Sequence, residues 1–101
     1  MPGTPTYDLE LIQRCVGQGA LTSSIMAVAA AGASELGWTL EHIIEAVLLL
    51  SSGDFYKTME SERVPGLWQD VYHLQYRKVH LYIKVQMGQN GRAYVVQFKR
   101  K

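Results

Sequence analysis

The chain has 101 residues, 48% of them apolar, enough for one hydrophobic core and a single domain over residues 1–101. A net charge of +1 argues against a protein that grips nucleic acid by bulk basicity. A single cysteine, Cys15, excludes an internal disulfide, and the three histidines are too scattered for a zinc site.

The first element is a helix over residues 7–16, with Leu9, Ile12 and Val16 on one face and Leu11 and Cys15 beside them. Cys15 reads as a small buried hydrophobe of a reducing compartment. Gly17 and Gly19 end this helix. Thr22, Ser23 and Ser24 offer caps for a second helix running to about Leu36. Its small residues, from Ala27 to Ala33, permit close approach to a neighbour. Gly37 is its natural stop. Thr39 then caps a third helix whose apolar stripe is Leu40, Ile43, Ile44, Val47 and Leu48. This helix is expected to cover the sheet. Ser51 and Asp54 have capping-box spacing, which predicts a short helix from Gly53 to about Ser61 presenting Tyr56 and Lys57. Pro65-Gly66 marks a turn.

The last third reads as three antiparallel strands. Asn90-Gly91 is a strong hairpin signal, because a type I′ turn needs positive φ at both central residues. With those two at the tip, Ile83 lies opposite Phe98, Val85 opposite Val96, and Met87 opposite Tyr94, on one apolar face. The other face then pairs Tyr82 with Lys99 and Lys84 with Gln97. In the strand from Trp68 to Tyr76, a tight Arg77-Lys78 turn sets Tyr72 opposite Ile83 and His73 opposite Tyr82. Arg-Lys is poor chemistry for a primed turn. A slip by one residue, however, would set apolar side chains against polar ones. The open face therefore carries Gln69, His73, Tyr82, Lys84, Gln97 and Lys99. The fold class is α+β, with N-terminal helices packed on one face of a C-terminal antiparallel sheet.

Charge is uneven along the chain. From Arg77 onward there are seven Lys/Arg and no acid; before it there are nine acids and three bases. This points to an anionic partner for the sheet, or equally, on charge alone, to solvated strand edges. Residues 1–6 are polar and Pro-rich, unlike a signal peptide. The longest apolar run without charge, residues 21–34, is rich in Ala, Gly and Ser and too short to span a bilayer. A cytoplasmic protein without a membrane partner is expected.

Lysine and tyrosine suit phosphate binding, and tyrosine and histidine can move protons. The chain has no glycine-rich phosphate loop, carboxylate dyad, metal motif or Ser/His/Asp pattern. Metal-free cleavage of RNA fits these residues, because RNA supplies its own nucleophile in the 2′-hydroxyl. No cofactor is called for. Structural readings stand beside this one: a solvated Lys57, a Tyr82 packed on the sheet, a Lys99 belonging to a charged terminus, an ordinary strand His73.

The run DFYKTM at 54–59, then WQDVY at 68–72, then Tyr82-Ile83-Lys84 and Phe98-Lys99 resembles the MqsR family of toxins. The similarity covers roughly residues 7–101. The resemblance implies a RelE-like fold and the toxin half of a bacterial type II toxin–antitoxin pair. It implies cleavage of messenger RNA without metal, and neutralisation by a cognate MqsA-like antitoxin. It carries the active site onto Tyr56, Lys57, Met59, Gln69, Tyr82 and Lys99. Lys57, Gln69, Tyr82 and Lys99 are expected to be catalytic. Tyr56, Met59, His73 and Lys84 are expected to contact single-stranded mRNA. The alternatives on the same fold are a catalytically inactive RNA-binding module or a protein-interaction module.

Overall fold

The structure is a computed structural model and describes residues 3–101. Residues 1 and 2 of the polar opening segment lie outside the described residues. Helix α1 spans Leu9–Gly17, capped by Asp8, whose carboxylate accepts from the Glu10 amide (3.0 Å). Its buried residues are Ile12, Cys15 and Val16, on the expected face. A 3₁₀ turn, Gly19–Leu21, leads to strand β1, Ser23–Ile25. Helix α2 is Ala27–Glu35 and helix α3 is Leu40–Leu49. Strands β2 (Phe55–Glu60), β3 (Trp68–Tyr76), β4 (Val79–Met87) and β5 (Ala93–Arg100) follow.

The sheet runs in the order β1-β5-β4-β3-β2. The fold is α+β, with helices on one face, as expected. The sheet, however, is mixed and has five strands, because β1 runs parallel to β5. Thr22 and Ser23 do not cap the second helix: Ser23 lies in β1, and Arg92 fastens that strand. Its guanidinium donates to Leu21 O (2.9 Å), Ser23 O (2.6 Å) and Ser24 Oγ (2.8 Å). A three-residue strand has too little pattern to be read locally.

The second correction concerns residues 55–60. The Ser51/Asp54 capping box forms, with Ser51 N donating to Asp54 Oδ2 (2.8 Å). It starts only a 3₁₀ turn, Ser52–Asp54, and the chain then enters β2 instead of a helix. A cap marks where a helix can begin and does not supply the packing that sustains one. Phe55 packs edge-on against Tyr72 (5.6 Å between centroids), and pairing with β3 decides the conformation.

The helix laid most closely on the sheet is α2, not α3. A Cβ on Gly32 would stand 1.8 Å from the Phe98 carbonyl oxygen, so the helix backbone touches β5 directly. Ala29 and Ala33 are fully buried beside it. From α3, Ile43, Ala46 and Val47 join the core formed with Tyr72, Ile83, Val85, Val95 and Phe98. Among the described residues no helix is long and apolar enough to cross a membrane.

The β3–β4 turn forms as expected: Tyr76 pairs with Val79, and Arg77 (φ 50°) and Lys78 (φ 66°) both take left-handed backbone. The β4–β5 turn differs. Gly91 N donates to Gly88 O (3.0 Å) around Gln89 and Asn90, and only Gly91 has positive φ (79°). This is a three-residue loop closed by a left-handed glycine, not a two-residue type I′ turn. It sets Met87 opposite Ala93 and Val85 opposite Val95. The expected pairs Met87–Tyr94 and Val85–Val96 do not form. A bulge at Val96 then restores the register, so Lys84 meets Gln97, Ile83 meets Phe98 and Tyr82 meets Lys99.

Candidate active site

The open face of the sheet presents three cross-strand rows. Their side chains point away from the helices because strand side chains alternate. The first row is His73, Tyr82 and Lys99 on β3, β4 and β5. Tyr56 joins it from β2, stacked on the His73 ring with centroids 4.2 Å apart. The second row is Lys57, Val71, Lys84 and Gln97. The third holds Met59 opposite Gln69 and Gln86 opposite Tyr94. Gln69 Nε2 closes that row by donating to Gln86 Oε1 (2.8 Å).

A bulge at Tyr56 makes the β2 contribution possible. The β2–β3 register shifts between Phe55 and Lys57. The shift lets two consecutive side chains, Tyr56 and Lys57, serve one face while Phe55 stays in the core. The Lys57 ammonium lies 5.6 Å from the Tyr56 ring centroid. Those of Lys99 and Lys84 lie 5.1 Å and 5.9 Å from the Tyr82 centroid. Cations near a ring face are attracted by its quadrupole, so the two aromatic rings hold three ammonium groups near one another.

Burial tunes the site. It raises the Tyr82 phenol above its usual value, and Tyr56 adds to the effect. It lowers the His73 imidazole below its usual value, with Lys101, His80 and Lys57 pushing the same way. Lys84 is lowered by burial and by Lys99 and Lys57, against an opposing pull from Glu62. At neutral pH the face thus offers a protonated phenol, an uncharged imidazole and a lysine less firmly charged than in water. Among the described residues no three His, Cys, Asp or Glu side chains gather as a metal site would need.

All eight residues singled out from the sequence lie on this face: Tyr56, Lys57, Met59, Gln69, His73, Tyr82, Lys84 and Lys99. Part of the basic C-terminal segment is used elsewhere. Arg92 binds β1, and Arg77 donates to the Tyr76 hydroxyl (3.2 Å). Gln86 and Tyr94 escaped the sequence reading. Gln86 carried no signal beyond strand parity, and the bulge moved Tyr94 from the apolar face to this one.

The chain matches the family model described as motility quorum-sensing regulator, toxin of MqsA, over residues 4–100. The chain belongs to the MqsR toxin family. It is also similar to the mRNA interferase toxin MqsR of Escherichia coli (strain K12): 29% identical over 98 residues, covering 97% of this chain and 96% of that protein.

The two family-like runs divide their residues between the faces of the sheet. In DFYK, Asp54 caps, Phe55 enters the core, and Tyr56 and Lys57 reach the open face. In WQDVY, Gln69 and Val71 face the site while Asp70 and Tyr72 face the helical side. Buried Asp70 accepts from the Thr6 and Tyr7 amides (2.9 Å each), tying the N-terminal segment to β3. Burial next to Asp70 and Asp8 pushes the Tyr72 phenol up to about 12, so it stays neutral in the core.

Proposed function

We propose that this protein is the toxin of a type II toxin–antitoxin pair and a metal-independent endoribonuclease acting on single-stranded mRNA in the cytoplasm. Its neutralising partner is an MqsA-like antitoxin, in keeping with the family description. The reading rests on one observation: three lysines gather around two tyrosine rings that flank the His73 imidazole on an open sheet face. The Escherichia coli relative is named as an mRNA interferase, which accords with it.

The RNA 2′-hydroxyl attacks the adjacent phosphorus and loses its proton to neutral His73. The P–O5′ bond breaks and the departing 5′-oxygen takes a proton from Tyr82, whose ring centroid lies 6.0 Å from that of His73. The products are a 2′,3′-cyclic phosphate and a 5′-hydroxyl. Lys57 and Lys99 grip the phosphate and stabilise its growing charge, since fixed donors act most strongly where charge develops. Gln69 orients the sugar or base, Lys84 binds an adjoining phosphate, and Tyr56 and Met59 pack against bases.

The test compares wild type and Lys57→Ala on a single-stranded RNA and on DNA of the same sequence, with and without EDTA. Wild type should cut RNA equally in both conditions and leave DNA intact, because DNA lacks the nucleophile. Lys57→Ala should lose about two to three orders of magnitude in rate, as for other single donors to a developing anion. Equal cleavage by the two proteins, or dependence on added Mg²⁺, would overturn the mechanism. A folded wild type that binds RNA and cuts none would leave an RNA-binding module.

A further inference from the structure

A groove of about 440 Å³ adjoins the third row and reaches Gln97, the cross-strand neighbour of Lys84. That size falls in the usual range for small-molecule sites, about 300–1,000 Å³. Gln69, Gln86 and Tyr94 line it, and residues of the 61–67 loop, including Val64 and Leu67, form one wall. The wall is held by its own hydrogen bonds. Ser61 N donates to Leu67 O (2.7 Å), Gly66 N donates to Glu60 Oε2 (2.6 Å), and Ser61 Oγ accepts from the Arg63 and Val64 amides.

Two features of the groove go beyond gripping and cutting a phosphodiester. The first is the amide pair. Gln69 is only 8% exposed, and its Nε2 is committed to Gln86 Oε1. Among the described residues Gln69 Oε1 and Gln86 Nε2 have no other partner, yet neither is a buried orphan, so solvent or a ligand can reach them. One acceptor and one donor thus remain side by side. Flipping both amides exchanges the roles and still leaves one of each. The second is Tyr94. Asn90 Nδ2 donates to its hydroxyl (2.8 Å). A Cβ at Gly88 would come within 2.8 Å of the ring, so only glycine lets the ring lie there. The ring is a fixed, partly exposed plate directly across from Gln86.

We propose that this groove is a base-reading subsite: Tyr94 stacks on one nucleobase of the bound strand, and the Gln69–Gln86 pair reads the edge of that base. Splayed single-stranded bases offer a π-face to an aromatic plate and a hydrogen-bonding edge to side-chain amides. The occupant is RNA because the groove continues the face that carries Lys57, Lys84 and Lys99. The lysines hold phosphates, which carry no sequence information, and the amides supply the choice of base. The proposal rests on the ribonuclease reading of the same face.

The test separates the two claims by measuring binding apart from cleavage. Wild type, Gln86→Glu, Tyr94→Ala and Tyr94→Phe are titrated with uncleavable 2′-O-methyl octamers of A, C, G and U. Wild type should favour one base by tenfold or more, the discrimination a paired amide–base contact carries. Gln86→Glu replaces a donor by an acceptor and should lower that preference at least tenfold relative to the other three octamers. Tyr94→Ala should weaken all four by about tenfold, and Tyr94→Phe should bind like wild type, since stacking needs only the ring. Melting curves confirm that the variants fold; should Gln86→Glu not fold, Gln86→Met removes the same hydrogen bonds at similar size. Equal binding of all four octamers by wild type would overturn the inference, as would a uniform loss in Gln86→Glu or unchanged binding in Tyr94→Ala. Wild type that discriminates but cuts no RNA would sink the ribonuclease reading and leave the subsite standing. Wild type and variants that cut with one identical base preference would do the reverse.

Discussion

Replacing Gly32 by alanine should destabilise the protein and disturb the site from its far side. The new Cβ would sit 1.8 Å from Phe98 O, 3.0 Å from Phe98 C and 3.6 Å from Lys99 Cα. An ordinary contact needs about 3.5 Å, so α2 and β5 must separate by roughly 1.7 Å. A main-chain carbonyl in a paired strand cannot rotate aside as a side chain can. Fully buried Ala29 and Ala33 would lose their contacts as the helix backs away. Overpacking of this kind costs about 1–3 kcal/mol, and the rigid obstacle puts it at the upper end. Alanine recovers about 1 kcal/mol of helix propensity. The net loss is about 2 kcal/mol, a fall in Tm of about 8–16 °C for a domain of this size. The assay is thermal unfolding followed by far-UV circular dichroism. Gly17→Ala is the control: its Cβ would meet only Leu48 Cδ2 at an ordinary 3.6 Å, and its Tm should hold or rise slightly. A Gly32→Ala protein as stable as wild type would mean that α2 does not rest on β5 as described. Because Lys99 follows Phe98, the same variant should also cleave more slowly below its Tm.

Two further outcomes are expected. His73 must be neutral to take a proton, and its pKa is held below the usual 6.5; Tyr82 must be protonated to give one, and its pKa is raised above 10. The kcat/KM profile should therefore rise at acid pH through a value below 6.5, stay level through neutrality, and fall only above pH 10; an acid limb unchanged in His73→Gln would exclude His73 as the base. Lys78 holds a left-handed φ of 66°, which disfavours a residue with a Cβ by about 1 kcal/mol, so Lys78→Gly should raise Tm by several degrees in the same melting assay; no increase would mean that the turn is not of the primed type.

Much of the sheet was legible because one of its faces must be apolar. Alternation in residues 68–76 and 79–87 fixed which side chains meet the helices, and a one-residue slip would have buried Lys84 or His73. That constraint survived the unsuitable Arg77-Lys78 turn. The helices α1 and α3 were legible for the same reason, through Ile12, Val16, Ile43 and Val47. What escaped the sequence was conformation decided by distant partners. Ser23–Ile25 is a strand only because β5 and Arg92 lie beside it. Phe55–Glu60 is a strand because β3 offers an edge, although the local cap pointed to a helix. The residues of the candidate site could be gathered mostly through family resemblance and strand parity. Gln86 had parity alone, and Tyr94 had neither.

The pairing of Tyr82 with Lys99 shows how the two constraints meet. The expected ladder assumed a two-residue turn at Asn90-Gly91, but the loop has three residues and ends at Gly91. Carried straight along the strands, that loop would set Tyr82 opposite Phe98. Phe98 would then project into solvent and Lys99 would point at Gly32 and the core. Burying an unpaired ammonium costs far more than one irregular ladder position. The extra residue at Val96 removes the conflict, returning Phe98 to the core and Lys99 to the open face. The same bulge leaves Val96 and Gln97 lining the groove beside Tyr94. On the opposite edge, the Tyr56 bulge brings Lys57 to the same face. Both irregularities lie where the apolar demand of the core and the polar demand of the site cannot be met by a regular ladder. They account for three cations, a phenol and an imidazole sharing one surface in a chain of nearly neutral charge.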